Sequence, residues 1–243
     1  MIDRITKDEF STSAPLAQNR LLGAGMGKLK VLIGCEESQA VAIEFDKLGH
    51  YVNSCDLQEC SGGRPDLHIK DSIFHVLHKP PYSFGLDLFI AHPPCTYLAN
   101  SGVRWLYNKD GSKNKERWEN MEDAALFFMA LLHTNCDKIC IENPIMHKHA
   151  LKIIGVKQTQ IIQPWQFGHG ETKATCLWLK GLPNLQPTNI VEGREQKIWK
   201  MPPSKDRQKL RSKTYHGIAT AMAMQWGGNA CTQRTGLCVS TGI

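Results

Sequence analysis

Cys95 is the first candidate for a reactive group, because Pro93 and Pro94 stand directly before it. Proline fixes its own φ and has no amide hydrogen, so a Pro-Pro-Cys run presents the thiol at the start of a loop on a restrained backbone. A lone cysteine is most often an inert core residue. Here a second polar cluster, Glu142-Asn143-Pro144, also follows an apolar run, as His92-Pro93-Pro94-Cys95 does. A thiol and a carboxyl group at the ends of successive strands suit nucleophilic addition assisted by an acid. Asp56 and Asp71 follow the second and third strand segments, and Gly34-Cys35-Glu36-Glu37-Ser38 follows the first. Taken singly, either aspartate is equally well a turn or cap residue. Together they suit the ribose and base of an adenosine-containing cofactor beyond the carboxyl edge of a sheet.

Those groups need strands to place them. The segments 28–33, 51–54, 68–70, 87–91, 138–141, 160–164 and 175–179 read as strands. Helical patterns occupy 40–48, closed by Gly49, then 116–133 and 218–226. The alternation predicts an α/β fold with a mostly parallel central sheet and helices on both faces. Trp118, Met121, Leu126, Phe127, Met129, Leu131 and Leu132 make an apolar helix that reads as core rather than as a cofactor box. Residues 1–27 are polar and without period, a flexible extension or a short amphipathic helix; 28–226 form the domain, and 227–243 read as a disordered tail.

A chain of 243 residues with 42% hydrophobic and 21% charged residues is long enough for one large domain with its own core. Those values exclude wholesale disorder, collagen repeats and coiled coil. No apolar run reaches the length of a membrane span, and the first residues lack a signal-peptide layout, so no membrane partner and a cytoplasmic location are expected. Nine cysteines, odd in number and scattered, suggest free thiols in a reducing compartment. Cys55, Cys60 and His68 lack paired CxxC spacing, and no metal is expected. The formal charge of +6 mildly favours a polyanionic partner. Within 182–214, Lys197, Trp199, Lys200, Lys205, Arg207, Lys209, Arg211 and Lys213 could follow a phosphate backbone, with a helix around 205–211. Phosphate contacts carry no sequence information, and a solvated loop is the alternative.

The stretch PPC-x-x-L-A-x-x-G resembles the catalytic-loop motif of the DNA cytosine-C5 methyltransferases, and Ile141-Glu142-Asn143-Pro144 resembles their Glu-Asn-Val motif. More broadly, VLIGCEESQAVAIEFDKLGH, AHPPCTYLANSG and IIQPWQFGHGETKATCLWLKGLP are similar to compact phage and prophage members of that family, over roughly 28–226. The resemblance implies a Rossmann-like class I methyltransferase fold in which 182–214 replaces a full target-recognition domain. It implies S-adenosylmethionine as cofactor and cytosine in nucleic acid as substrate, with DNA expected and the base flipped out or single-stranded. Cys95 would add to C6, and Glu142 would act as acid at N3 with a raised pKa. Gly34, Cys35, Glu36, Ser38, Asp56, Asp71, Pro93 and Tyr215 would surround the cofactor, Asp56 on the ribose and Asp71 near the adenine. Pro94, Asn143, Lys173, Arg104, Trp199, Lys205 and Arg211 would contact the substrate.

The chain departs from the family pattern in two places. The glycine-rich first loop keeps only Gly34, and the Gln-x-Arg-x-Arg motif becomes Glu171-Thr172-Lys173-Ala174-Thr175. Lys173 is a point charge without a planar fork. Lys213-Thr214-Tyr215-His216-Gly217-Ile218 loosely resembles the last cofactor-side motif. Two rival readings stand beside the enzyme: a silent protein that binds DNA or cofactor, and a cysteine hydrolase with His92 or His169 as base. The hydrolase leaves the strand-end acids without a role.

Overall fold

Val31-Leu32-Ile33 is apolar without alternation, the pattern of a strand covered on both faces. In the computed structural model, which describes residues 27–204 and 207–228, this run is the middle of β1 (Lys30–Gly34), and β1 is an interior strand. The elements that follow are α1 (Ala40–Lys47), β2 (Tyr51–Asp56), β3 (His68–Lys70), α2 (Ile73–Leu77) and β4 (Leu88–Ala91). Then come α3 (Lys115–Leu132), β5 (Ile139–Pro144), α4 (Lys148–Ile154), β6 (Gln160–Ile162) and β7 (Thr175–Lys180). The described chain closes with α5 (Lys197–Lys200), α6 (Arg207–Ser212) and α7 (His216–Trp226). The extension at 1–26 and the tail at 229–243 lie outside the described residues.

The strands form one seven-stranded sheet in the order β3-β2-β1-β4-β5-β7-β6. β1 to β5 pair in parallel, whereas β7 runs against β5 and β6 against β7. The protein is therefore α/β, with a mostly parallel mixed sheet flanked by helices, compatible with a Rossmann-like fold. Helices cover both faces. Leu32 and Phe89 pack with Met121, Phe128 and Leu131 of α3 on one side, while Val31 and Ile33 pack with Phe45 of α1 and Met222 of α7 on the other. Burying a side chain of this size contributes about 1.5–3 kcal/mol over leaving it exposed.

The register aligns the strand ends. Cys55, Gly34, Ala91 and Ile141 stand in one row across β2, β1, β4 and β5. The next residue on each strand, Asp56, Cys35, His92 and Glu142 in turn, therefore emerges at one edge.

Some boundaries differ from the sequence pattern. β6 stops at Ile162, and Pro164, which has no amide hydrogen, opens a 3-10 turn instead. In the basic segment the helix is Arg207–Ser212; Lys205 lies outside the described residues. Among the described residues, no helix is long and apolar enough to cross a membrane.

Candidate active site

The loop after β4 is held from two directions. Leu98 and Ala99 donate to the Cys95 carbonyl at 3.1 and 2.9 Å, which turns the chain immediately after the thiol. Asn143 donates from Nδ2 to the Pro93 carbonyl at 2.9 Å, and His147 lies within hydrogen-bond distance of the Tyr97 carbonyl at 2.9 Å. From α3, Arg117 donates to the Thr96 carbonyl at 2.8 Å and stacks over the Tyr97 ring. Pro93 is buried, Pro94 exposed and Cys95 half-buried.

Glu142 is buried, and its Oε2 lies 3.0 Å from His92 Nδ1. It lines a small cleft with Lys173, Thr175, Thr214, Tyr215 and Ile218. Burial alone would raise the Glu142 pKa; the His92 hydrogen bond and the charges of Lys173 and His92 outweigh it and hold the pKa below the ordinary value. This corrects the expectation of a raised pKa at Glu142, which came from the acid role that the resemblance implies and took no account of the two neighbouring cations. Burial pulls His92 down, but its bond to Glu142 and the charges of Glu142 and Glu36 bring it above the usual histidine value. The Cys95 thiol is raised by burial and then by Glu142, with Lys173 and Arg211 working the other way.

Lys173 itself donates to the Lys213 carbonyl at 3.3 Å, which ties it to the segment before α7. Tyr215 donates to Glu171 at 2.6 Å, and Glu171 also pairs with Lys197 at 2.9 Å. Lys209 of α6 lies 3.3 Å from Glu37. Two members of the basic segment are thus engaged by carboxylates of the same chain. Arg104 is exposed and sits over the Trp105 ring at 4.4 Å, in a 3-10 turn at Asn100–Leu106. Trp199 lies in α5.

On the β1 and β2 side, Glu36 is buried and accepts from Val41 N at 2.6 Å and Ala42 N at 3.2 Å. It occupies the free amides of the first turn of α1, where a ligand anion would otherwise lie. Gly34 is closely packed: a Cβ there would stand 3.0 Å from Ile73 Cδ1, which would have to shift by a few tenths of an ångström. Cys35 holds φ 57, a left-handed conformation that costs a non-glycine residue about 1–3 kcal/mol and tends to persist at functional sites. Its thiol is pushed up to about 12, by burial first and then by Asp56 and Cys55. The Ser38 carbonyl is covered by Gly62, where a Cβ would come within 2.5 Å of it.

Asp56 Oδ1 accepts from Gln58 N at 2.9 Å, and Oδ2 has no hydrogen bond among the described residues. Asp71 accepts from Ser72 N at 2.7 Å and contacts His75 at 2.7 Å, so both oxygens serve the start of α2. Of the two strand-end acids, only Asp56 keeps an oxygen open to a ligand such as a ribose hydroxyl. The buried His92 Nε2 and Asn143 Oδ1, which lack partners among the described residues, are further groups a ligand could satisfy.

Glu142, Lys173 and Tyr215 line one cleft, Asn143 ties the end of β5 to Pro93, and Glu142, Lys173 and Arg211 are near enough to act on the Cys95 thiol. Glu36 and Asp71 have local structural partners. Sequence reasoning weighed His92 only as a base for the thiol; its position one residue past the strand, in register with Glu142, was the available signal. Neither His92 nor His169 hydrogen-bonds the Cys95 sulfur: His92 faces Glu142, and His169 Nε2 accepts from Gly217 N at 3.0 Å. That disfavours the hydrolase. Among the described residues no three His, Cys, Asp or Glu side chains gather as for a metal, and His68 bonds Ser54 and the Gln58 carbonyl. Compared with known proteins, the chain matches no protein-family model and no curated protein.

Proposed function

We propose that this chain is a methyltransferase that uses S-adenosylmethionine to modify C5 of cytosine in nucleic acid, with DNA as the favoured substrate. The observation that carries the reading is the linkage of two adjacent strand ends: Cys95 follows β4, Glu142 ends β5, and Asn143 bonds the two together. The sheet is compatible with it, since the resemblance implies a mostly parallel central sheet with helices on both faces, and the seven-stranded sheet is of that kind.

In this reading the Cys95 sulfur bonds to C6, and the Glu142 carboxyl protonates N3 as charge builds on the ring. Lys173 lowers the cost of forming the thiolate next to Glu142. Asn143 holds the loop, and its free Oδ1 suits the exocyclic amino group of the base. Asp56 would hold the ribose of the cofactor. When bound, S-adenosylmethionine supplies an electrophilic methyl group. A base within a duplex cannot reach this edge, so the target is flipped or already single-stranded.

The test exposes the protein to labelled S-adenosylmethionine with DNA, RNA and dCMP in parallel, each also carrying 5-fluorocytosine. A covalent complex that needs both the cofactor and Cys95 supports the reading. Equal methylation by wild type and Cys95→Ser would overturn it and point to an exocyclic amino group as acceptor. No labelling of any substrate would leave a silent binding protein as the better account.

A further inference from the structure

His92 presents a problem of proton supply. Glu142 must carry a proton to serve as an acid, yet its neighbours hold it as a carboxylate, and its side chain is only 11% exposed. His92 touches it at 3.0 Å, with a side chain only 9% exposed. The histidine is fixed from its own backbone, since His92 N donates to the Gly34 carbonyl at 2.9 Å. Around it stand Glu36 beside α1, Glu142 on β5 and Lys173 ahead of β7, and Glu142 in turn raises the Cys95 thiol on the loop. Glu36 is engaged by the amides of Val41 and Ala42, leaving Glu142 as the carboxylate hydrogen-bonded to the ring.

We propose that His92 is the positioning residue that stores the proton of Glu142, holding the carboxyl through Nδ1 and handing it the proton when N3 needs one. The inference rests on the methyltransferase reading above. At the start the pair shares one proton, on His92. As the thiolate, its own proton already lost to water, bonds to C6, the C5–C6 π electrons shift toward N3. A proton passes from Nδ1 to Oε2, and the carboxyl protonates N3. His92 is then neutral, and Glu142 is again a carboxylate. After methyl transfer, C5 loses its proton to water and the C6–S bond breaks. N3 returns its proton to Glu142, and Glu142 returns it to His92. The Cys95 thiolate regains its proton from water, so the methyl donor, which leaves as the neutral thioether, is the one reactant consumed besides the base.

The test measures kcat and KM for methylation, and the rate of 5-fluorocytosine trapping, from about pH 5.5 to about pH 9 in wild type and His92→Asn. Asparagine keeps a donor for Glu142 but holds no transferable proton. The expected result is an alkaline limb displaced by about one pH unit or more toward acid, a kcat at about pH 8 lowered about 10- to 100-fold, and a KM little changed. A loss of the same factor at every pH would mean that His92 only packs, and would overturn the proposal. In parallel, nitrogen NMR of the wild-type full chain should show His92 titrating above the ordinary histidine range, with the titration point falling in Glu142→Gln. An imidazole already neutral at about pH 6 overturns the proposal without reference to turnover. Wild type inactive on every substrate overturns the methyltransferase reading and the relay with it, whereas activity with an unchanged profile in His92→Asn overturns the relay alone.

Discussion

Asn143 donates from Nδ2 to the Pro93 carbonyl at 2.9 Å, so one side chain at the end of β5 fixes the backbone just ahead of Cys95. Its other atom, Oδ1, is buried without a partner among the described residues. Removing the side chain leaves the Pro93 carbonyl without that donor and lets the loop shift. Asn143→Ala should lower stability by about 1–3 kcal/mol and slow the trapping of 5-fluorocytosine. A variant with wild-type melting temperature and trapping rate would show that the loop is held by its other bonds alone.

The strand-end acids are expected to behave differently from one another. Asp56 keeps Oδ2 open, whereas both Asp71 oxygens are engaged by Ser72 N and His75. Asp56→Ala should weaken S-adenosylmethionine about 10- to 100-fold, the worth of a charge-assisted hydrogen bond, and leave the melting temperature nearly unchanged. Asp71→Ala should chiefly destabilise the start of α2. Calorimetry and thermal denaturation of the two variants separate these outcomes, and equal affinity in Asp56→Ala would remove that residue from the site.

Thiol reactivity reports the electrostatics around Cys95. Burial and Glu142 raise its pKa, so alkylation of this cysteine in the free protein should be slow at neutral pH and rise into the alkaline range. Glu142→Gln removes the nearby negative charge and should speed the reaction. Lys173→Met should slow it. Mass-spectrometric mapping of the Cys95 peptide against time and pH gives all three rates. No change in Glu142→Gln would mean that the two groups do not share a site.

The variable segment bears on specificity. Between β7 and α7 the described chain holds only the short helices α5 and α6, and Lys197 and Lys209 are paired with Glu171 and Glu37. Contacts of the remaining cations to phosphate would not read sequence. Methylation should therefore follow a context of a few bases or none, and conversion sequencing of exposed DNA should show broad marking. A single palindromic site of about four or more base pairs would contradict this, since each specified base needs its own discriminating contact.

How far the sequence carries depends on the range of the interaction. Strands β1, β4 and β5 are legible because each is an apolar run ended by polar residues, which marks Cys95 and Glu142 as candidates, whereas β2 is a mixed strand that ends at Asp56. The reversal of β7 is not legible, because the continuous apolar run at 176–179 reads the same in either direction. α2 and α4 span five and seven residues, too short for a helical period to stand out. The engagement of Glu36 by Val41 and Ala42 depends on how the turn after Gly34 folds back on α1. The direction of the Glu142 pKa depends on His92 and Lys173, 50 positions from it in one case and on a different strand connection in the other. Burial could be foreseen from the apolar run; the cations that outweigh it come from register and loop placement.

The contact of Glu171 with Tyr215 gives a stability prediction whose pH dependence has a definite sign. Glu171 accepts from the Tyr215 hydroxyl at 2.6 Å and pairs with Lys197 at 2.9 Å, joining the stretch before β7 to the residue that opens α7. Burial would raise its pKa, but the Tyr215 hydrogen bond and Lys197 bring it below the ordinary value of 4.5. A carboxylate depressed in the folded state binds fewer protons than in the unfolded chain, so its contribution is complete above the unfolded pKa. It fades as pH falls through the lower folded value. Glu171→Gln should accordingly cost about 1–3 kcal/mol at neutral pH, as for a lost charge-assisted bond, and the gap from wild type should close as pH falls below 4.5. Tyr215→Phe should show the same closing trend with a smaller gap, because Lys197 still holds the carboxylate. Denaturant unfolding across that range checks both variants. A gap that persists undiminished into acid would mean that Glu171 acts through packing and not through its charge.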